Sequence, residues 1–421
     1  MSLKKVLSLF SGCGGMDLGF EGNFSAFKTC INTNIHPDWI KKDLSNNKVL
    51  LKDTSFKLVL ANDINIYAKN LWCNFFSNFN YPIEIYDTES IVYLINNYKQ
   101  KLLDFRGNID ILTGGFPCQD FSLAGKRKGF LSSKSHDGKK LLDDNYDLSR
   151  GNLYLWMKQA IEIIKPKIFV AENVKGLISL NGAIETIVND FKSIDNDSYL
   201  IIKPKIVTAY EYGVPQVRER IFFIGFLKSS LTKTALKKLT SDVISADFDP
   251  YPIKTHSLTN MPSLLPNRNQ NGKLYPVVTC GDIFSDLEEP DMTDDESQRH
   301  YSKAKFLSNS SQGQTEVKLD KPAPTIRSEH HGNIEFRRLS LAHGGQNTRE
   351  LERNLPERRL TVRECARIQT FPDEYQFVIK SKTNGISASE AYKVIGNAVP
   401  PLLAYSLAKN LEKKWNSYFK E

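Results

Sequence analysis

Short runs of apolar residues alternate with stretches of helical periodicity up to about residue 226. An apolar run that ends at a turn and precedes such a stretch indicates a buried strand leading into a helix. The predicted strands are KKVLSLF (4–10), FKLVLAND (56–63), DILTGG (110–115), KIFVAENV (167–174) and RIFFIGF (220–226), and the clearest helices are NIYAKNLWCNFF and LYLWMKQAIEIIKP. This alternation predicts an α/β fold with a doubly wound, mostly parallel sheet.

The pattern then changes, which predicts more than one domain. Residues 227–357 are rich in Ser, Asn, Asp, Pro and charge, so we expect a second, smaller and irregular domain there. Helical signals return in residues 358–421, which we expect to rejoin the first domain, residues 1–226. Two polar stretches, near 28–55 and 131–149, look like insertions, and the sequence does not indicate their roles.

The composition is that of a globular protein, with 40% apolar and 25% charged residues in 421. A net charge of +8 suits a polyanionic partner such as nucleic acid without requiring one. The six cysteines, which include Cys118, form no CxxC pair, so we expect neither a metal site nor a disulfide framework. No run approaches the roughly 20 apolar residues of a membrane helix, and Asp17 interrupts the N-terminal apolar run. We therefore expect a cytoplasmic protein with no membrane association.

Two segments at predicted strand ends have the residues of a cofactor site. The glycines of FSGCGG (10–15) permit a tight turn and close approach of a ligand, although the spacing is not GxGxxG. Asp63 follows the next strand, where an acid can accept hydrogen bonds from ribose hydroxyls. A plain tight turn and a helix N-cap explain these two features equally well.

Three further segments carry reactive or charged side chains. Cys118 follows a strand end in a Gly/Pro loop with cations at 126–128, which would favour its thiolate, although most lone cysteines are packing residues. Glu172 ends an apolar strand, so it is either a proton donor or a salt-bridged structural acid. Arg218 and Arg220 alternate ahead of a strand, which predicts one shared face for carboxylate or phosphate, or else solvated charge.

Together these segments resemble the bacterial cytosine-5 DNA methyltransferase family, from residue 4 to about 226 and from about 358 to 410. The matching motifs are FSGCGG, Asn62-Asp63, Pro117-Cys118-Gln119, Glu172-Asn173-Val174, the QxRxR set Gln216, Arg218 and Arg220, RRLTVRECARIQTFPD (358–373) and GNAVPP (396–401). The resemblance implies the S-adenosylmethionine-dependent methyltransferase fold, with 227–357 as the target-recognition domain. It also implies a type II restriction-modification methylase.

The resemblance implies S-adenosyl-L-methionine as cofactor and a set of residues that bind it. The cofactor-binding residues would be Phe10, Ser11, Gly12, Gly14, Gly15, Asp63, Ile64, Asp87, Pro117, Asn397, Ala398 and Val399, with only a loose match at Asp87. The catalytic residues would be Cys118, Glu172, Arg218 and Arg220, and the chemistry calls for no metal.

The implied reaction moves a methyl group to carbon 5 of a flipped cytosine in a specific duplex DNA sequence. The Cys118 thiolate would attack ring carbon 6, which is covalent catalysis. Protonated Glu172 would bond ring nitrogen 3. Arg220 would hold the base oxygen or Glu172, and Arg218 would do the same or grip a phosphate. Because the base must leave the stack, the loop 119–150 would close over it.

The expected DNA contacts lie in this loop and in later segments. They are Gln119, Ser122, Lys126, Arg127, Arg150, Gln216 and Arg327. Arg327 belongs to PAPTIRSEHHGN (322–333), which is equally compatible with a polar turn. We expect a monomer and, by analogy, a cognate endonuclease that makes the methylation protective of host DNA. The target sequence cannot be predicted from one chain.

Three alternatives remain open from sequence. One is an RNA cytosine-5 methyltransferase of the same fold, and another is a non-catalytic DNA-binding relative. The third, a nicotinamide oxidoreductase, rests on the glycine turn alone, and the absence of GxGxxG disfavours it.

Overall fold

The structure is a computed structural model. It describes residues 3–100, 108–117, 153–180, 182–258, 274–308, 311–328, 332–381, 383 and 385–420.

Strands and helices alternate through the first half of the described chain. The strands are β1 (Lys4–Leu9), β2 (Ser25–Phe27), β3 (Ile40–Asp43), β4 (Lys48–Leu51), β5 (Phe56–Asn62), β6 (Tyr86–Asp87), β7 (Ile111–Gly115), β8 (Ile168–Val174), β9 (Tyr199–Thr208), β10 (Glu219–Leu227), β11 (His256–Ser257), β12 (Tyr275–Pro276), β13 (Phe336–Arg338) and β14 (Arg358–Arg359). The α-helices are α1 (Gly15–Glu21), α2 (Ile66–Phe76), α3 (Ile91–Lys99), α4 (Leu153–Ile164), α5 (Ala183–Lys192), α6 (Lys233–Leu239), α7 (Cys280–Phe284), α8 (Glu296–Arg299), α9 (Thr348–Glu352), α10 (Val362–Ile368), α11 (Ala388–Asn397) and α12 (Pro401–Tyr418).

Seven strands form the main sheet in the order β6-β5-β1-β7-β8-β10-β9. The β6-β5, β5-β1, β1-β7 and β7-β8 pairs are parallel, whereas β10 runs antiparallel to both β8 and β9. The predicted α/β fold with a mostly parallel sheet is therefore confirmed. The strand order reverses beside β1, and the ends of β1 and β7 open a crevice there, where α/β proteins bind ligands.

Helices cover both faces of this sheet. Buried residues of α3, α4 and α5 form one apolar cluster with the sheet, including Ile95, Met157 and Phe191. On the other face, α1, α2 and α12 pack together, and Gly19 of α1 lies directly against Ala404 of α12. The last long helix therefore completes the layer that the first helix begins.

The polar stretch near residues 28–55 folds as a small antiparallel sheet in the order β2-β4-β3. Trp39 packs edge-on against Tyr405 of α12, and Asn32 donates a hydrogen bond to the Thr255 carbonyl at 2.8 Å. The insertion is thus anchored both to the main α/β layer and to the segment before β11.

Residues 227–357 contain short elements with no regular strand-helix alternation among the described residues. Several of their buried side chains, including Ile283 and Phe336, share one apolar cluster with Leu360 and Cys365 of the C-terminal segment. The division at residues 226 and 357 stays a prediction, because nothing here separates the parts as independent units.

Candidate active site

A cavity of about 320 Å³ lies at the carboxyl ends of β1, β5, β7 and β8. One wall comes from the far end of the chain, residues 394–399. The lining includes Phe10, Ser11, Gly12, Gly15, Asp63, Ile64, Pro117, Glu172, Arg220, Asn397, Ala398 and Val399 from the predicted set. Ser8, Asn62, Asn65, Ser90, Ile91, Leu153, Val174, Val394 and Gly396 also line it.

The glycine turn forms the edge of the cavity nearest β1. Gly12 has φ +55°, and a Cβ on it would meet nothing within 4 Å, so its backbone faces open space. Gly15 has no such room, because a Cβ there would overlap the Val399 carbonyl oxygen of the opposite wall. Gly14 lies outside the cavity lining of the described residues, and its missing side chain makes room for Trp72. The turn therefore offers one open face and two tightly packed positions.

The buried carboxylate of Asp17 lies behind the glycine turn and connects β1 to α2. Asp17 accepts hydrogen bonds from Ser8 Oγ at 2.5 Å and from Trp72 Nε1 at 2.8 Å. Burial raises the pKa of Asp17 to about 6, although the two hydrogen bonds oppose the shift. No functional role is predictable for Asp17 from the sequence.

Asp63 is the acid that faces the cavity at the end of β5. Its Oδ2 accepts a hydrogen bond from the Gly12 amide at 3.0 Å, and its Oδ1 accepts one from the Asn65 amide at 2.9 Å. Burial raises its pKa. Asp87, expected near the cofactor, is absent from the lining within the described residues. Its carboxylate accepts from the Glu89 amide at 2.7 Å and closes a local turn instead.

Glu172 and Arg220 form an ion pair in the wall of the cavity. Arg220 Nε donates to Glu172 Oε1 at 2.8 Å, and both side chains are nearly buried. Antiparallel pairing places Arg220 opposite Val174, so Glu172 lies diagonally across on the same face. Burial raises the pKa of Glu172, and the charge of Arg220, with a smaller part from Arg218, opposes that rise. Such a carboxyl can hold a proton under conditions where an exposed one cannot.

The backbone leading to the predicted nucleophile enters the same cavity. Pro117, the residue before Cys118 in the sequence, is part of the lining. Asn173, next to Glu172, donates from Nδ2 to the Phe116 carbonyl at 3.2 Å and so fixes this backbone. Cys118, Gln119, Ser122, Lys126, Arg127 and Arg150 lie outside the described residues.

Two expected contact residues have other partners in the structure. Arg218, predicted to hold the base or a phosphate, is fully buried and donates to the carbonyls of Ile326, Gly396 and Ala398. It precedes the first residue of β10, so the strand alternation that predicted a shared face with Arg220 does not apply at this position. Gln216, predicted to contact DNA, is also fully buried and bonds Ile326 and Gln369.

Arg327 lies next to the cavity but is already engaged. Its guanidinium donates to Gln312 Oε1 at 2.7 Å and to the Asn333 carbonyl at 3.0 Å, and pairs with Glu335 at 3.2 Å. About a quarter of its side chain, 23%, remains exposed. Gly396 of the cavity wall lies directly against the Arg327 carbonyl.

Some lining residues were missed although a sequence signal existed. Asn65 and Ser90 cap the first turns of α2 and α3, with Asn65 Oδ1 accepting from the Tyr67 amide at 3.0 Å. A cap directly after a strand end marks the rim of an α/β crevice. Val394 carries no comparable signal, because its place in the cavity depends on packing across the whole chain.

Two kinds of feature are not found in the described part of the chain. No group of three or more His, Cys, Asp or Glu side chains there is arranged to hold a metal ion. None of its helices is long and apolar enough to cross a membrane.

The family model described as C-5 cytosine-specific DNA methylase matches residues 4–413. The type II methyltransferase M.NgoPII of Neisseria gonorrhoeae is 29% identical over 97% of this chain and 95% of its own. The type II methyltransferase M.PspPI of a Psychrobacter strain is 31% identical over 98% of this chain and 80% of its own.

A solved structure, the Dnmt2 methyltransferase of S. pombe, shares the fold with a TM-score of 0.54. It is 18% identical and covers 97% of this chain and 98% of that one. At this identity the likeness extends to the fold alone.

Proposed function

The chain belongs to the C-5 cytosine-specific DNA methylase family, and on that premise we propose that it methylates carbon 5 of a flipped cytosine in a specific duplex DNA sequence through a covalent Cys118 adduct. As a family member it is a cytosine-5 DNA methyltransferase. The observation that carries the mechanistic proposal is the nearly buried Glu172–Arg220 ion pair. It lies in the same cavity that Pro117 and the glycine turn also line.

The cavity fits S-adenosyl-L-methionine, the methyl donor of this family. Gly12 leaves room for a ligand against its backbone, and the half-buried carboxylate of Asp63 can accept hydrogen bonds from ribose hydroxyls. Residues 397–399 would close the opposite side. When bound there, the cofactor supplies an electrophilic methyl group.

Cys118 is the proposed nucleophile, on the strength of its sequence position after Pro117. Its thiolate forms a bond to carbon 6 of the cytosine ring, and the ring electrons move toward carbon 5, which becomes able to accept the methyl group. Loss of the proton on carbon 5 then expels the thiolate and restores the ring double bond. The cysteine is unchanged at the end of the cycle.

Glu172 is the proposed proton donor to ring nitrogen 3. The raised pKa of the buried carboxyl makes the proton available, and a bond to nitrogen 3 relieves the charge that develops as the thiolate adds. Arg220 holds this carboxyl in place through its Nε, while its Nη1 donates to the Glu219 carbonyl at 2.8 Å. Neither role requires a metal.

The base must leave the duplex to enter this cavity. The polar segment 119–150, with Gln119, Ser122, Lys126, Arg127 and Arg150, is the proposed lid over the flipped base, and Arg327 is the proposed contact nearest the cavity. Several close relatives are named type II methyltransferases. We accordingly place the protein in a restriction-modification system, in which methylation protects host DNA from a cognate endonuclease.

The proposal is tested by incubating the protein with labelled S-adenosylmethionine and, separately, duplex DNA, transfer RNA or no nucleic acid. We expect label in duplex DNA as 5-methylcytosine, and bisulfite sequencing of the product would map the target site. Cys118→Ala should abolish transfer, while Cys73→Ala, at a partly exposed cysteine outside the cavity, should retain it.

Three outcomes would refute the proposal. Label in transfer RNA alone would make the protein an RNA methyltransferase. Full transfer by Cys118→Ala would exclude the covalent mechanism. Binding of DNA and cofactor by the wild-type protein without any transfer would make it a non-catalytic relative.

A further inference from the structure

We propose that Arg218 and Gln216 are positioning residues that couple the DNA-facing segment around Arg327 to the cofactor wall at 397–399. Through this coupling, target DNA and cofactor strengthen each other's binding. The inference rests on the proposed function, and it assigns to both residues a role other than contact with the base or with phosphate.

At one end of the coupling, both backbone polar groups of Ile326 are held by side chains. The Ile326 amide donates to Gln216 Oε1 at 3.0 Å, and Arg218 Nη1 donates to the Ile326 carbonyl at 3.0 Å. Both side chains are completely buried. Ile326 immediately precedes Arg327. A displacement of the Arg327 backbone by DNA would therefore also move Ile326 and distort these two hydrogen bonds.

At the other end, the same two side chains hold the wall of the cofactor cavity. Arg218 Nη2 donates to the Gly396 carbonyl at 2.9 Å and to the Ala398 carbonyl at 2.8 Å. Gln216 Nε2 donates to Gln369 Oε1 at 3.0 Å, and Gln369 Nε2 donates to the Ile395 carbonyl at 2.7 Å. Since Ala398 lines the cavity, its position depends on the same guanidinium that holds Ile326.

The packing around these bonds leaves little freedom for independent movement. A Cβ on Gly396 would overlap the Arg327 carbonyl, so the two backbones are in direct contact. Arg218 connects three carbonyls from two distant segments through one rigid planar fork. A lysine has the same charge but cannot reproduce that fork, because its ammonium is a single point of donation.

The surface end is arranged to respond to DNA. Arg327 pairs with Glu335, whose pKa is raised by burial although Arg327 opposes that rise. A phosphate or base edge that attracts the guanidinium would change how firmly Arg327 and Ile326 are held. The effect reaches the cofactor wall through Arg218, in the range of about 5- to 150-fold that is typical of coupled sites.

The test measures the dissociation constant of S-adenosylhomocysteine by calorimetry, with and without a short duplex that contains the target site identified by bisulfite sequencing. In the wild-type protein the duplex should tighten this binding about tenfold. In Arg218→Lys the tightening should fall below about twofold. Gln216→Met, which removes the bonds to Ile326 and Gln369, should reduce it in the same direction and serves if Arg218→Lys does not fold.

Arg363→Lys is the matched control. Arg363 is equally buried and donates to the Tyr375 carbonyl at 3.0 Å, but it holds neither Ile326 nor the cavity wall. It should keep the tenfold tightening. Thermal melting of each variant verifies that the protein is folded.

The inference is overturned if wild-type binding of S-adenosylhomocysteine is indifferent to the duplex, or if Arg218→Lys keeps the effect. Equal loss in Arg363→Lys would also overturn it, because the effect would then follow from general destabilisation. Failure of the proposed function looks different, since no 5-methylcytosine would form in duplex DNA with any variant.

Discussion

Asp17, beneath the glycine turn, should make the stability of the protein depend on pH in a defined way. Its carboxylate is buried and bonded to Ser8 and Trp72, and burial raises its pKa from 3.8 to about 6. Asp17→Asn has the same shape and no charge at any pH. Replacing the acid should therefore remove this one source of pH dependence. The amide oxygen of the asparagine can still accept the hydrogen bond from Trp72 Nε1.

The sign and size follow from the two pKa values. In the unfolded chain Asp17 ionises near its ordinary value, so the folded state has its relative advantage below pH 3.8 and loses it as the pH rises through about 6. A shift of roughly two units corresponds to a total loss of about 3 kcal/mol. Between about pH 4.5 and about pH 7.5, the part lost is about 2 kcal/mol.

Urea unfolding of both proteins at several pH values measures this loss directly. The free energy of unfolding of Asp17→Asn, relative to wild type, should rise by about 2 kcal/mol from about pH 4.5 to about pH 7.5. Asp242→Asn, at an exposed carboxylate, is the control for the change of residue type. A difference between Asp17→Asn and wild type that is independent of pH, or that falls as pH rises, would refute the reasoning.

Three further predictions concern the cavity. Glu172→Gln should lower kcat by about 10²- to 10⁴-fold, because the proton donor is lost. Calorimetry should find cofactor binding unchanged. A normal kcat would exclude the role assigned to Glu172. Arg220→Met removes the charge that opposes the raised pKa of Glu172, so the decline of residual kcat at high pH should move to higher pH, and a shift to lower pH would contradict this. Gly15→Ala creates an overlap with the Val399 carbonyl, so urea unfolding should show a free energy of unfolding lower by about 1–3 kcal/mol. Unchanged stability would show that residues 397–399 move aside without cost.

The main strands were predictable because each buried parallel strand is a continuous apolar run that ends at a turn. The run at 56–63 corresponds to β5, Phe56–Asn62, within one residue. Strand β9 was not predicted, because Lys203, Lys205 and a proline interrupt its apolar pattern. These residues are tolerated because β9 is the edge strand of the sheet. The reversed direction of β10 also has no local signal, since direction is set by its partners.

The residues of the candidate site also differ in how far they could be predicted, according to whether local or distant contacts place them. Gly12 and Asp63 follow strand ends and Glu172 lies near the end of β8, and parallel strands bring such ends to one edge of a sheet. The partners of Arg218 were not predictable, because one of them, Ile326, lies 108 positions further along the chain. Local alternation indicates which way a side chain points within a strand, but it does not indicate which distant carbonyls will cover it. The position of Cys118 stays a prediction.

The last stretch of the chain supplies one wall of the cavity that the first turn begins, and this has a consequence for biosynthesis. A chain still on the ribosome can form β1 and α1, but Gly19 has no Ala404 to rest against and Gly15 faces no Val399 carbonyl. Contacts between such distant residues form late and slowly. The nascent protein therefore acquires its cofactor cavity in one step near the end of synthesis, so prematurely terminated chains should leave the genome unmethylated rather than mark it partially.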